Sequence, residues 1–219
     1  MLRIAITDDH TLFRKSLTLL VGSFENMQVV VEAANGKELL DKLESVQVDI
    51  LLLDLQMPEM DGFETSLMIN EKYPDIKILI LTLQKEEDAI KKVMDQGVHG
   101  YFTKNTDPSE LKNAIVKLSD GGFYFEKSLT YIMQNILEDS IIIPKDPESI
   151  VFTEREMDIV RLTLNEYSGT QIAYELSISP KTVEKHKRNL MEKTGSKNFI
   201  GVIRCALLNK LITLDEVKE

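Results

Sequence analysis

The first half of the chain alternates short apolar runs with longer segments whose apolar residues recur every three or four positions. The runs Leu2–Thr7, Gln28–Ala33, Asp49–Leu53, Ile76–Leu81 and Gly100–Phe102 predict strands. The segments Leu12–Val21, Gly36–Leu43, Phe63–Glu71, Glu86–Met94 and Ser109–Leu118 predict amphipathic helices between them. Five strands alternating with five helices predict a doubly wound parallel sheet. Ile50–Leu53 and Ile76–Leu81 are apolar almost without a break, as expected where helices cover both faces of a sheet. Asp107 as N-cap, Pro108 at the first helical position and Glu110 closing a capping box start the last of these helices.

From Gly121 the pattern changes. Residues 122–149 show no clean alternation and read as a linker, partly helical over Leu129–Leu137, with a helix-breaking joint at Pro144-Lys145-Asp146-Pro147-Glu148. Residues 150–219 are helical in pattern. Thr153 and Glu156 form one capping box, and Ser168 and Gln171 a second, before Ile172–Leu176. A turn at Ser177-Ile178 then leads to Ser179-Pro180, which start a third helix running to about Lys193, and a fourth covers 198–211. Two short helices, a tight turn and a basic third helix predict a helix-turn-helix. No internal repeat or low-complexity tract interrupts the chain.

Its 219 residues suffice for one large or two ordinary domains. No run of about eighteen apolar residues occurs, so no membrane span is expected. The N-terminus reaches Asp8-Asp9 too soon for a secretory signal, and Cys205 is the only cysteine, which leaves no internal disulfide. These features favour a cytoplasmic protein. The net charge of −10 disguises a division: residues 150–219 carry 11 Lys+Arg against 10 Asp+Glu, whereas residues 1–149 carry 15 against 26. An acidic first part precedes a locally basic segment, as in two domains with different partners.

The chemistry concentrates at strand ends. Asp8 and Asp9 end the first strand, Asp54 the third and Thr82 the fourth, and Lys104 follows the fifth. In a parallel sheet those ends share one edge, where ligands bind. Three carboxylates there call for a hard divalent cation, and Mg²⁺ suits oxygen ligands. Asp54 suits either metal binding or service as a nucleophile that carries a phosphoryl group. Lys104 supplies a positive charge for phosphoryl oxygens, and Thr82 a hydroxyl. Singly, a strand-end threonine is more often packing and a lone lysine more often surface; their joint placement across five strand ends is what argues for a site.

Residues 1–121, through Thr7-Asp8-Asp9-His10, Leu53-Asp54, Met57-Pro58-Glu59-Met60-Asp61-Gly62, Leu81-Thr82 and Gly97–Lys104, resemble the receiver domain of bacterial two-component response regulators. The resemblance implies a flavodoxin-like five-stranded receiver in which Asp54 takes a phosphoryl group from a sensor histidine kinase. It implies that Asp9, Asp54 and the backbone carbonyl of Gln56 ligate Mg²⁺, with Asp8 ligating directly or through water. Thr82 and Tyr101 become the switch pair, and Lys104 the catalytic cation. Asn105 stands where many receivers have proline, so a cis bond there is not expected, and Leu83 where many have a small residue. Gln56 and Gln84 flank the acyl phosphate on this alignment.

In the third helix of the second part, Val183, His186 and Leu190 share an apolar stripe, and Lys181, Lys185 and Arg188 a basic one suited to a major groove. A basic helix is more often a solvated face; the helix-turn-helix spacing and the Ser-Pro start raise the odds of a DNA contact. Phe152–Glu156, Gln171-Ile172-Ala173, Leu176–Ser179, Thr182-Val183, His186 and Lys193-Thr194-Gly195 are similar to the LuxR-type helix-turn-helix domain of the NarL/FixJ regulators. That resemblance implies Thr182, Glu184, Lys185 and Arg188 near base edges, Lys181 and Lys187 nearer phosphates, and a last helix that helps pair two copies on a dyad site. Glu184 departs from a position that is commonly basic. The whole chain then reads as a DNA-binding regulator, homodimeric on activation and not a turnover enzyme. The alternatives are a phosphorylation-independent regulator or protein-contact receiver and, less well supported because Gln56 stands where a second acid is wanted, a phosphohydrolase.

Overall fold

The structure, a computed structural model, describes residues 1–83, 87–105, 107–125, 151–165, 167–196, 198–209 and 211–212. Gln84, the expected linker helix Leu129–Leu137 and the joint at 144–148 lie outside the described residues. The chain divides into two compact units, one built on Met1–Ser119 with residues 123–125, the other on the C-terminal helices.

In the first unit, β1 (Leu2–Thr7), β2 (Met27–Ala33), β3 (Ile50–Leu53), β4 (Lys77–Thr82), β5 (Gly100–Thr103) and β6 (Tyr124–Phe125) form one sheet. All its pairings are parallel and the order is β2-β1-β3-β4-β5-β6. The helices are α1 (Thr11–Gly22), α2 (Gly36–Leu43), α3 (Gly62–Lys72), α4 (Glu87–Asp95) and α5 (Pro108–Ser119). The five expected strands and helices are present, with no end moved by more than one residue. The short β6 was not foreseen; it pairs with β5, and Tyr124 Oη donates 3.0 Å to Glu110 Oε2, the residue expected in a capping box.

Both faces of the sheet are buried, which is why β3 shows no polar interruption. Ile4, Ile6, Ile50, Leu52, Leu79 and Leu81 pack with Leu17 and Val21 of α1 and Leu111, Ala114, Ile115 and Leu118 of α5. The alternate residues Ala5, Leu51, Leu53, Ile78, Ile80 and Tyr101 are buried as well, as the period of two in a strand requires. The strand order reverses direction between β1 and β3, so the crevice outside their carboxyl ends is where a ligand is expected.

His99, at the foot of β5, is held neutral. Its Nδ1 accepts from the Ile78 N–H at 3.3 Å, and its ring stacks on Phe123 with centroids 5.9 Å apart. Burial, with Lys77 nearby, lowers its pKa to about 3. The unfolded chain takes up a proton near pH 6.5 that the folded chain refuses, so the contribution of His99 to stability is flat above that pH and falls as pH drops from about 6.5 toward 3. Urea unfolding at pH 7 and pH 5 should show wild type losing about 2 kcal/mol from this source, and His99→Gln should remove that share. An identical pH dependence in the variant would rule the imidazole out as the cause.

The second unit contains α6 (Glu154–Leu164), α7 (Gly169–Glu175), α8 (Pro180–Thr194) and α9 (Phe199–Leu208). Both expected capping boxes are formed, Thr153 with Glu156 and Ser168 with Gln171. Burial would raise the Glu156 pKa, but its ion pair with Lys193 (2.7 Å) and its bonds with Thr153 outweigh that and hold it low. Ser179 caps α8 by accepting from the Thr182 N–H, with Pro180 at the first helical position. The α7–α8 turn passes through Ser177 at φ 52°, a left-handed conformation that closes α7 and turns the chain sharply.

Candidate functional site

The pocket is assembled by strand register. Thr7 lies opposite Leu53, and the Asp54 N–H donates 2.9 Å to Thr7 O, so Asp8 and Asp54 leave the sheet side by side. Thr82 lies opposite Thr103, and the Lys104 N–H donates 2.9 Å to Thr82 O, which brings the lysine to the same edge. Asp8 and Asp54 are buried and Asp9 is half-exposed. One donor atom each from Asp8, Asp9, His10 and Asp54 lie within 4.8 Å of one another.

Lys104 stands between the two buried carboxylates. Its Nζ donates 2.6 Å to Asp54 Oδ2 and lies 2.7 Å from Asp8 Oδ2, an ion pair without hydrogen-bond alignment to the second. Asp54 Oδ1 accepts from the Leu55 N–H at 2.8 Å. Burial raises the Asp54 pKa; Lys104 pulls it down through its hydrogen bond and charge, Asp8 pushes it up, and the net shift is upward. The three carboxylates, two of them buried, form an oxygen-donor set compatible with Mg²⁺.

The other expected pocket residues fall as follows. Thr82 is buried at the end of β4, and Leu83 beyond it is 60% exposed. Tyr101 is fully buried, more than a half-buried strand aromatic would be. The Gln56 side chain is exposed, which leaves its backbone as the proposed ligand. No cis peptide occurs among the described residues, in line with Asn105 in place of proline. Three participants escaped the sequence reading. His10 Nδ1 sits 2.8 Å from Asp9 Oδ1, the Arg14 guanidinium donates to Asp8 O, and Phe13 places its ring 4.8 Å from Lys104 Nζ. The only signal for them was their closeness to Asp9 in the chain.

On α8, Lys181, Glu184, Lys185 and Arg188 are exposed and Thr182 is half-buried, its hydroxyl 2.8 Å from the capping Ser179 Oγ. Lys187 is a correction. It was expected near phosphates, but it is only 3% exposed, and its Nζ lies 5.3 Å from the Phe199 ring. The buried stripe of α8 is Val183, Lys187 and Leu190, with His186 at its edge. A lysine fits there because its long aliphatic stem covers apolar surface while the ammonium meets an aromatic face.

Comparison with known proteins agrees with both halves. Residues 4–116 match the response regulator receiver domain, and residues 150–206 match the bacterial regulatory proteins of the luxR family. The chain belongs to the two-component response regulators of NarL/FixJ type, a receiver followed by a LuxR-type DNA-binding domain. It is 34% identical over 217 residues to the oxygen regulatory protein NreC of Staphylococcus epidermidis, covering 96% of this chain and 99% of that one. It is 31% identical over 211 residues to the response regulator protein VraR of the same species, with the same coverage. Among solved structures, a LuxR-family two-component response regulator from Aurantimonas is 31% identical with a TM-score of 0.57, covering 63% of this chain and 96% of that one. RcsB of Salmonella typhimurium shares the fold at 23% identity with a TM-score of 0.58, covering 94% of this chain and 98% of that one. No helix among the described residues is long and apolar enough to cross a membrane.

Proposed function

We propose that this regulator, acting in the cytoplasm, is switched by phosphorylation of Asp54. The observation that carries the reading is the buried pairing of Asp54 and Asp8 around the Lys104 ammonium, at the one sheet edge where β1, β3, β4 and β5 end. An Asp54 oxygen attacks the phosphorus of a phosphohistidine on a sensor kinase; a P–O bond forms, the P–N bond breaks, and its electron pair leaves with the imidazole. Lys104 offsets the charge that develops on the phosphoryl oxygens. Asp9, Asp54 and the Gln56 carbonyl, with Asp8 directly or through water, would hold Mg²⁺, which when bound supplies further neutralising charge.

Thr82 then donates its hydroxyl to the phosphoryl group, and with Tyr101 changes the receiver surface. The two forms differ by a few kcal/mol, so phosphorylation shifts a population that exists beforehand. Two activated copies pair and present α8 to DNA half-sites about one helical turn apart. Lys185 and Arg188, with Thr182 and Glu184, face base edges, and Lys181 faces phosphates. The linker boundaries at 122 and 149 separate the two parts on this reading.

The test is binding to duplex DNA from the gene's own upstream region at one fixed salt concentration, because phosphate contacts make affinity steeply salt-dependent. Beryllium fluoride with Mg²⁺, a mimic of the acyl phosphate, should tighten binding of wild type at least tenfold and leave Asp54→Asn unchanged. Equal binding in all conditions would instead favour a phosphorylation-independent regulator.

A further inference from the structure

We propose that Phe13 is a positioning residue for phosphoryl uptake: its ring holds the Lys104 ammonium where the incoming group needs a positive charge. The inference rests on the reading of Asp54 as the phosphoryl acceptor. A lysine ammonium has three N–H donors and no acceptor. At Lys104, whose side chain is 8% exposed, Asp54 Oδ2 lies at 2.6 Å, Asp8 Oδ2 at 2.7 Å and the Phe13 ring centroid at 4.8 Å. An aromatic face attracts an ammonium electrostatically, most strongly where water is excluded. Phe13 is itself anchored, packed against the core cluster that contains Ile4, Ile6 and Leu17.

The anchoring matters at the moment of transfer. As the bond from an Asp54 oxygen to phosphorus forms and the donor's bond to phosphorus breaks, negative charge moves outward from Asp54 to the phosphoryl oxygens. Lys104 then exchanges its Asp54 contact for a phosphoryl oxygen and keeps Asp8 and Phe13 as fixed neighbours. The ring steadies the ammonium without occupying a phosphoryl-binding direction as another carboxylate would. Leucine at this position keeps an apolar packing residue but loses the aromatic face. Tyrosine keeps the face.

The experiment uses the full chain with Mg²⁺ and isotopically labelled acetyl phosphate, whose P–O bond breaks to release acetate. Phe13→Leu should slow labelling at saturating donor by about three- to tenfold, the range of a partly desolvated cation–π contact. Mg²⁺ affinity and the donor concentration for half-maximal rate should stay within about twofold, the pattern of a contact realised in the transition state. The Lys104 ε-methylene resonance should lose its ring-current shift in Phe13→Leu, and Phe13→Tyr should restore both rate and shift. A Phe13→Leu chain labelling at the wild-type rate overturns the proposal alone, as does a slow Phe13→Tyr chain that keeps the ring-current shift. A wild type that takes no label overturns it together with the assignment of Asp54.

Discussion

Gly62→Ala should lower the stability of the receiver by about 2–3 kcal/mol and weaken Mg²⁺ binding at a pocket it does not line. Gly62 opens α3 directly after the capping Asp61, and its N–H donates 3.0 Å to Leu55 O. A Cβ there would fall on the carbonyl oxygen of Asp54 and lie 2.7 Å from Leu55 Cα. Both neighbours are backbone, so no side chain can swing aside; either α3 retreats or the end of β3 bends. Overpacking against a rigid wall typically costs about 1–3 kcal/mol, and here the wall carries Asp54 and the Leu55 N–H that orients its carboxylate. Gly22→Ala is the control. Nothing lies within 4 Å of a Cβ at Gly22, at the end of α1, so the change should be neutral or stabilising by up to about 1 kcal/mol. Urea unfolding and calorimetric Mg²⁺ titration of both variants check the pair. A Gly62→Ala chain with wild-type stability and affinity would mean that β3 and α3 are not in such close approach.

Much of the receiver could be read from its sequence. Runs such as Ile50–Leu53 leave no doubt of a strand buried on both faces, and a parallel sheet then forces Asp8, Asp54, Thr82 and Lys104 onto one edge. Strand and helix periods convey which elements exist and which way a strand residue faces. They convey less about a helix with several compatible faces. On α8, the stripes Val183-His186-Leu190 and Val183-Lys187-Leu190 both have helical spacing, and residue type favoured the first, whereas the second is the one the fold buries. Phe13 and His10 were missed for a related reason. Their roles depend on the direction a side chain takes after the helix starts, which periodicity does not encode. The strand Tyr124–Phe125 is only two residues long, too short for any alternation to show.

Lys104→Met should destabilise the metal-free receiver by about 3 kcal/mol, and Mg²⁺ should return much of the loss. The ammonium separates two carboxylates that are each nearly inaccessible to water, Asp8 at 2% and Asp54 at 3% exposure. Their donor atoms lie within 4.8 Å of each other. Two like charges at that distance repel by on the order of 3 kcal/mol at an effective dielectric of about 20, and removing one partner of a buried ion pair typically costs about 3–5 kcal/mol. Methionine retains most of the lysine stem, so lost packing contributes little. The charge argument predicts a coupling between sites: in an Asp54→Asn background, which removes the repulsion between the carboxylates but leaves Asp8 paired with the lysine, Lys104→Met should cost about 1–2 kcal/mol less than in wild type. Chemical denaturation of the four chains in chelator and again in Mg²⁺ gives the cycle directly. Additive losses, or a deficit that Mg²⁺ leaves untouched, would show that Lys104 stabilises the fold by packing and that the carboxylates tolerate each other unaided. The expected outcome is a loss reduced either by the Asp54→Asn substitution or by a divalent cation. Such a result would make the lysine the resident counter-charge of the pocket.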